Sequence, residues 1–278
     1  VIINNLCAYI RSPFTLASHY DELSQNTPIS EGIYKDKEQE FYADKATLDS
    51  EADVRLGIIK EIHDRLQGSG KNAPGAWSDF EYDFSGSTFF YTIDLTNSYY
   101  AKPINFSGST YEGEANFTGS TYKSWANFSN STYQGEADFS GSIFCSEIYF
   151  GYSTHSDSSS RFTGCAPQFY NKTNRKNTLF GSPNNNFTVE NGRGYPIYRN
   201  LEGLPLGCKF LTSEQKEYLA DKFQEIERIN DEILEVKDPK EKAELSKKLQ
   251  TLNEELHGWR KEATTVKVED VAAEDTES

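Results

Sequence analysis

Large apolar side chains stand at Phe84, Leu95, Phe106, Phe117, Phe128, Phe139 and Phe150, eleven residues apart without a slip. A second series trails the first by five residues: Phe89, Tyr100, Tyr111, Tyr122, Tyr133 and Phe144. Self-similarity at a fixed period is the signature of a repeat architecture. Each unit is therefore two short faces of five and six residues, each centred on a large side chain, and two units make a four-sided coil of 22 residues. Two positions before each centre stand Ile93, Ile104, Ala115, Ala126, Ala137 and Ile148 in one series, and Ser87, Ser98, Ser109, Ser120, Ser131 and Ser142 in the other. Spacing by two puts them on the same inward side as the rings. Gly, Asn, Ser and Thr fill the remaining positions, where corners need permissive backbone or locally bonding side chains. The pattern predicts a four-sided β-solenoid of about 3.5 to 4 coils, cored by the thirteen residues of the two series.

The units ANFTGSTYKSW, ANFSNSTYQGE and ADFSGSIFCSE cover residues 115–147. The motif A(N/D)F(S/T)G followed by STY or STF resembles the pentapeptide-repeat proteins, whose consensus is A(D/N)Lxx, in the eleven-residue variant common in actinobacteria. The resemblance implies a right-handed quadrilateral β-helix with the central Phe or Leu on its axis and the Ala packed beside it. It covers residues 83–150, and a degenerate turn, SRFTGCAP at 160–167, follows the insertion GYSTHSDSSS. LCAYIRSPF near the start and DVRLGIIKEI at 53–62 are similar to helices that precede the repeats in membrane-tethered members. That likeness implies a bacterial cytoplasmic location at the inner face of the membrane, with any anchor in a segment before Val1.

Outside the repeat the period changes. Residues 1–78 are expected to form an N-terminal helical cap, because solenoid ends expose unpaired strand edges. Within it, Ser50 and Asp53 suggest a cap for a helix reaching Leu66, with Val54, Ile58, Ile59, Ile62 and Leu66 as its stripe. The solenoid domain is placed at 79–167. Periodicity vanishes over 168–211, where NKTNRKN, SPNNN and NGRG mark turns, and an irregular basic linker is expected. Thr212 with Gln215 forms a capping box, and Asp238 with Pro239 a second helix start. Leu245, Leu249, Leu252, Leu256 and Trp259 then alternate steps of four and three, a coiled-coil seam. An antiparallel hairpin over 212–262 is expected, with one helix kinked at Pro239 as the alternative. Residues 263–278 read as a disordered acidic tail.

Of the 278 residues, 43 are acidic and 28 basic, for a net charge of −15, unevenly spread. Residues 167–211 alone are basic, with two acids against six bases, and these alternate with Phe169, Tyr170, Phe180, Phe187, Tyr195 and Tyr198. Such a composition can stack on single-stranded nucleic acid, but the acidic remainder repels phosphate. A basic strap lying on the acidic solenoid is therefore the preferred reading, and nucleic acid is not an expected partner. Cys7, Cys145, Cys165 and Cys208 are scattered without disulfide or zinc spacing. His155 with Cys145 and Cys165 is the nearest approach to a cluster, read as a loop residue and two buried thiols. Phosphate-loop, dinucleotide and nucleophile-elbow motifs are absent. No catalytic, cofactor or metal residues and no small-molecule substrate are expected.

The leading expectation is a non-enzymatic interaction scaffold or adaptor. Two helices cannot bury their own seam and must dock on the solenoid, on a second copy or on another protein, so Phe223, Ile226, Leu249, Leu252, Leu256 and Trp259 are the candidate residues for binding a protein partner or a second copy, with docking on the solenoid left open. The alternative, from the family resemblance, is a DNA mimic that binds topoisomerase. Three coils rise only about 14 to 15 Å at ~4.8 Å per strand spacing, against roughly 34 Å for one DNA turn. Residues 81–166 hold only nine acids against three bases, too sparse beside a phosphate charge every ~1.7 Å.

Overall fold

Strands only two residues long can persist in the solenoid walls because each is hydrogen-bonded to a parallel strand one coil away. The computed structural model describes residues 1–68, 74–151, 159–190 and 192–266. Four parallel sheets form the walls of the solenoid. The first face carries Tyr82–Asp83, Ile104–Asn105, Ala126–Asn127 and Ile148–Tyr149, in register at 22-residue steps. The second carries Thr88–Phe89, Thr110–Tyr111, Thr132–Tyr133 and Arg161–Phe162. The third carries Ile93–Asp94, Ala115–Asn116 and Ala137–Asp138. The fourth runs from Tyr99–Tyr100 through Thr121–Tyr122 and Ile143–Phe144 to Leu179–Phe180 and Lys209–Phe210.

All thirteen expected core residues are buried. Their rings stack coil on coil: Phe84 on Phe106 at 5.2 Å, Phe106 on Phe128 at 5.2 Å, Tyr111 on Tyr133 at 4.4 Å and Tyr122 on Phe144 at 4.4 Å. These separations match the roughly 4.7–4.9 Å between hydrogen-bonded strands, so one spacing satisfies backbone and rings together. The inward serines form a second ladder. Ser120 Oγ donates to the Leu95 carbonyl at 2.8 Å and accepts from Ser98 N at 3.1 Å, and Ser131 and Ser142 repeat the arrangement. At the corners, the Asn or Asp side chain accepts from the backbone two residues on, as Asn105 does from Ser107 N. The next corner position needs left-handed backbone, met by Gly86, Gly108, Gly119 and Gly141 and by Asn97 and Asn130.

The winding does not stop at 167. Phe162 stacks on Tyr133, Phe169 on Phe139, Phe180 on Phe144 and Phe187 on Phe150. Thr178 takes the serine role, its hydroxyl donating to the Phe139 carbonyl at 2.8 Å. Asn186 takes the corner role, accepting from Thr188 N at 2.9 Å. The expectation of an irregular linker from 168 is thus corrected: about three regular turns are followed by an irregular one that keeps the ladder. Lys172, Arg175, Arg193 and Arg199 are exposed, and none of them is in an ion pair among the described residues. Residues 192–211 close the end, burying Leu204 and Cys208.

At the other end, α1 (Ile2–Arg11) lays Ile3, Cys7 and Ile10 on the first coil and pairs Arg11 with Asp83. A 3-10 turn and the short helix α2 (Tyr20–Leu23) lead to α3 (Glu38–Leu66). The helix starts at Glu38 with Lys37 as N-cap, so Ser50 lies inside it rather than capping it. The reason is packing: Phe41 and Leu48 extend the buried stripe N-terminally at helical spacing. Val54 is 48% exposed, and Arg55 takes the inward position instead. Gln67 at the end of α3 donates to the Thr96 carbonyl at 2.8 Å, tying the cap to the third face.

Candidate functional site

Helices α4 (Ser213–Glu235) and α5 (Pro239–Ala263) form the expected hairpin, with the capping box at Thr212 and Gln215 and the Asp238 N-cap both made. Cross-pairs Lys222 with Glu255 and Glu225 with Lys248 show the antiparallel register. The seam is not free, however. Phe223, Ile226, Leu252 and Leu256 are buried in one cluster with Leu219, Ile229 and Leu211, and with Tyr99, Ile143 and Leu179 of the fourth face. Phe223 meets Tyr99 edge to face at 5.5 Å. Leu249 and Trp259 pack at the cluster's border, and Trp259 stacks on Tyr218 at 5.0 Å. Lys123 pairs with Glu227 across the joint. The six candidate partner-binding residues are thus brought together, but within this chain. Of the three surfaces that could cover the seam, the solenoid is the one that supplies the third apolar surface a two-helix seam needs, so these residues are not an open binding surface.

The sequence carried a signal for this docking. Outward positions just before the second-series rings hold Thr88, Thr110 and Thr132 on the second face, but Tyr99, Thr121, Ile143 and Leu179 on the fourth. Three apolar side chains on one outer wall, where the neighbouring wall has threonines, announce a covered face.

Four uncovered apolar side chains stand in the segment that closes the C-terminal end of the solenoid. Tyr198 is 68% exposed, Leu206 57%, Tyr195 48% and Leu201 wholly so. Tyr198 and Leu206 line a groove of about 260 Å³ whose walls also include Pro167, Phe169, Tyr170, Lys172, Ile197 and Pro205. Exposed bases Lys172, Arg193 and Arg199 accompany the patch in the sequence.

The cysteine thiols are not activated by their surroundings. Burial pushes the thiols of Cys145 and Cys208 up to about 12 and that of Cys7 up to about 11, opposite to what a nucleophile requires. Cys145 and Cys165 are half-buried rather than the buried pair expected, and His155 lies outside the described residues. No group of three or more His, Cys, Asp or Glu among the described residues could hold a metal ion. None of the described helices is long and apolar enough to cross a membrane.

A family model of pentapeptide repeats in nine copies matches residues 101–143, inside the regular coils. Neither the curated proteins nor the solved structures compared with the chain gave a match. The match falls where the Phe and Tyr ladders, the serine rungs and the left-handed corners are all in place, and residues 101–143 of the chain are pentapeptide repeats.

Proposed function

We propose that the protein is a non-enzymatic scaffold or adaptor whose partner surface is the C-terminal end of the solenoid. The carrying observation is the exposure of Tyr198, Leu201 and Leu206 in the one basic segment of an acidic chain. Apolar area left in water beside a groove is the usual mark of a protein contact, and tyrosines anchor such contacts well. The basic rim favours a partner with an apolar centre and an acidic border. In this reading the hairpin buttresses the fourth face, and its distal turn, where Leu234 is 81% exposed, is a lesser contact. Attachment at the inner face of the bacterial membrane belongs to the same proposal and is tested by fractionating the full-length protein. The DNA-mimic alternative is disfavoured, since one of the four walls is occupied by the hairpin.

The experiment is affinity co-purification with wild type, with Tyr198→Ser plus Leu206→Ser, and with Leu249→Asp plus Leu256→Asp. The surface pair should lose the partner with circular dichroism unchanged, whereas the seam pair should disturb the fold of the hairpin. Retention of the partner by the surface pair, or binding of single-stranded DNA in its place, refutes the reading.

A further inference from the structure

Two arginines in the described part of the molecule lie almost wholly out of water, and they are answered differently. Arg55, 1% exposed, pairs with Glu51 at 2.8 Å and donates to the carbonyls of Ile10 and Ser12 at 2.7 and 2.9 Å. Arg260, 3% exposed, reaches from α5 to the solenoid and donates to the Thr121 hydroxyl and the carbonyls of Gly119 and Gly141. All three acceptors are neutral. Among the described residues no carboxylate pairs with Arg260, and burial lowers its guanidinium to about 9, which still leaves it charged at neutral pH. A buried cation without a counter-ion is costly.

Arg260 lines a cleft of about 520 Å³ between the third face, the 171–176 turn and the last turns of α5. Lys176 and Lys261 line it as well. Lys176 Nζ donates to the Lys261 carbonyl at 3.0 Å and to the Thr265 hydroxyl at 2.7 Å, again neutral acceptors. Burial, then the charges of Lys261 and Arg260, hold its ammonium below the usual lysine range. His257 Nδ1, on the same wall, is buried with no hydrogen-bond partner. Against the three cations stand Asp138, the one carboxylate among the described lining residues, and the C-terminus of α5, worth about half a negative charge. An excess of about one and a half positive charges remains, in a chain whose net charge is −15.

We propose that this cleft binds a small phosphorylated, hydroxyl-bearing metabolite of sugar-phosphate type, its phosphate held by Arg260, Lys176 and Lys261. A guanidinium has five N–H donors, so three bonds to the protein leave others for phosphate oxygens. The opposite wall, with Asn116, Thr118, Asp138 and Asn171, offers the mixed donors and acceptors that hydroxyl groups need. His257 is the only ring among the described lining residues, which gives a nucleobase little to stack on. The volume is that of a small-molecule pocket.

The test is calorimetric titration and thermal shift on the full chain with glucose 6-phosphate, inorganic phosphate, glucose, and sodium chloride at matched ionic strength. Glucose 6-phosphate should bind and raise Tm, inorganic phosphate should bind more weakly, and glucose and chloride should do neither. Lys261→Gln, at an exposed position, and Lys176→Gln should each weaken glucose 6-phosphate about tenfold, as loss of a charge-assisted bond does. Asp138→Asn, which keeps the oxygen that accepts from Ser140 N, should weaken glucose 6-phosphate but not inorganic phosphate. A shift reproduced by chloride, or affinity unchanged in both lysine variants, overturns the proposal. So does absence of binding both in the wild type and in Glu269→Gln with Asp270→Asn, which removes two acids that follow α5 in the sequence.

Discussion

From Phe84 to Phe150 the core residues follow one another in steps of five and six, whereas from Phe150 onward the steps to Phe162, Phe169, Phe180 and Phe187 are 12, 7, 11 and 7. The two regions nevertheless build one ladder. Stacked rings in the regular coils are separated by 4.4 to 5.5 Å, and those joining the last coil to them by 4.5 to 6.3 Å. Serine hydroxyls bridge to the coil below in the first region; Ser160 and Thr178 do so in the second. The difference teaches that a solenoid coil is defined by what reaches its axis and not by the length of chain between rungs. Extra residues leave at a corner, as the antiparallel pair Tyr170–Asn171 and Lys176–Asn177 does, without disturbing the stack. Each coil needs only its neighbours.

The regions differ most in what alkali should do. Tyr100, Tyr111, Tyr122 and Tyr133 lie in the regular ladder with buried hydroxyls that make no hydrogen bond of ordinary geometry, while the last coil has only Phe at the corresponding places. Burial raises all four phenols above their ordinary value. The unfolded chain therefore ionises first: stability is intact below about pH 10 and falls as pH rises beyond it, by about 1.4 kcal/mol per tyrosine per pH unit. Four together are comparable, within one pH unit, to the whole stability of a typical domain. Tyrosinate absorbance should appear cooperatively with loss of the β-rich circular dichroism; gradual ionisation of a folded protein would contradict the buried ladder.

Phe117→Ala in the middle of the regular coils should cost about 3 to 5 kcal/mol in denaturant unfolding, and outward Thr132→Ala under about 0.5. Equal costs at the two positions would refute the register. Phe169→Ala tests whether the irregular coil is true solenoid, with an expected loss of about 3 kcal/mol. A loose linker over the same residues would lose under about 1. The smallest effect concerns the corners: Gly108→Ala, at a φ of 69° with no atom nearer than 3.9 Å to the new Cβ, should cost about 1 to 2 kcal/mol from backbone alone. Asn130→Gly at the equivalent corner should be neutral or slightly stabilising in the same assay.

The regular coils were legible because every rung repeats one local rule, and the hairpin because its caps are written in Thr212, Gln215, Asp238 and Pro239. The irregular coil was half-legible: Asn186, Phe187 and Thr188 repeat the corner motif, but no period marks them. The start of α3 was missed because Ser50 is a good local cap, whereas Phe41 and Leu48 favour helix through packing. The candidate surfaces were the least legible. Seam residues chosen for a partner met Tyr99 and Ile143 instead, and the exposed end at Tyr198 and Leu206 has no sequence period of its own.

The sequence by itself determined the coil, its core and its corners, since those depend on residues one or two rungs apart and are repeated with the period of the backbone. Only the tertiary structure decided that the hairpin leans on the fourth face, that α1 and α3 close the first coil, and that Arg260, Lys176 and Lys261 meet around one cleft. Those placements join residues well separated along the chain, 85 positions for Lys176 with Lys261 and 141 for Arg260 with Gly119. They depend on which apolar and charged surfaces remain once the local rules are satisfied, a competition among the surfaces of the whole chain that no single segment encodes.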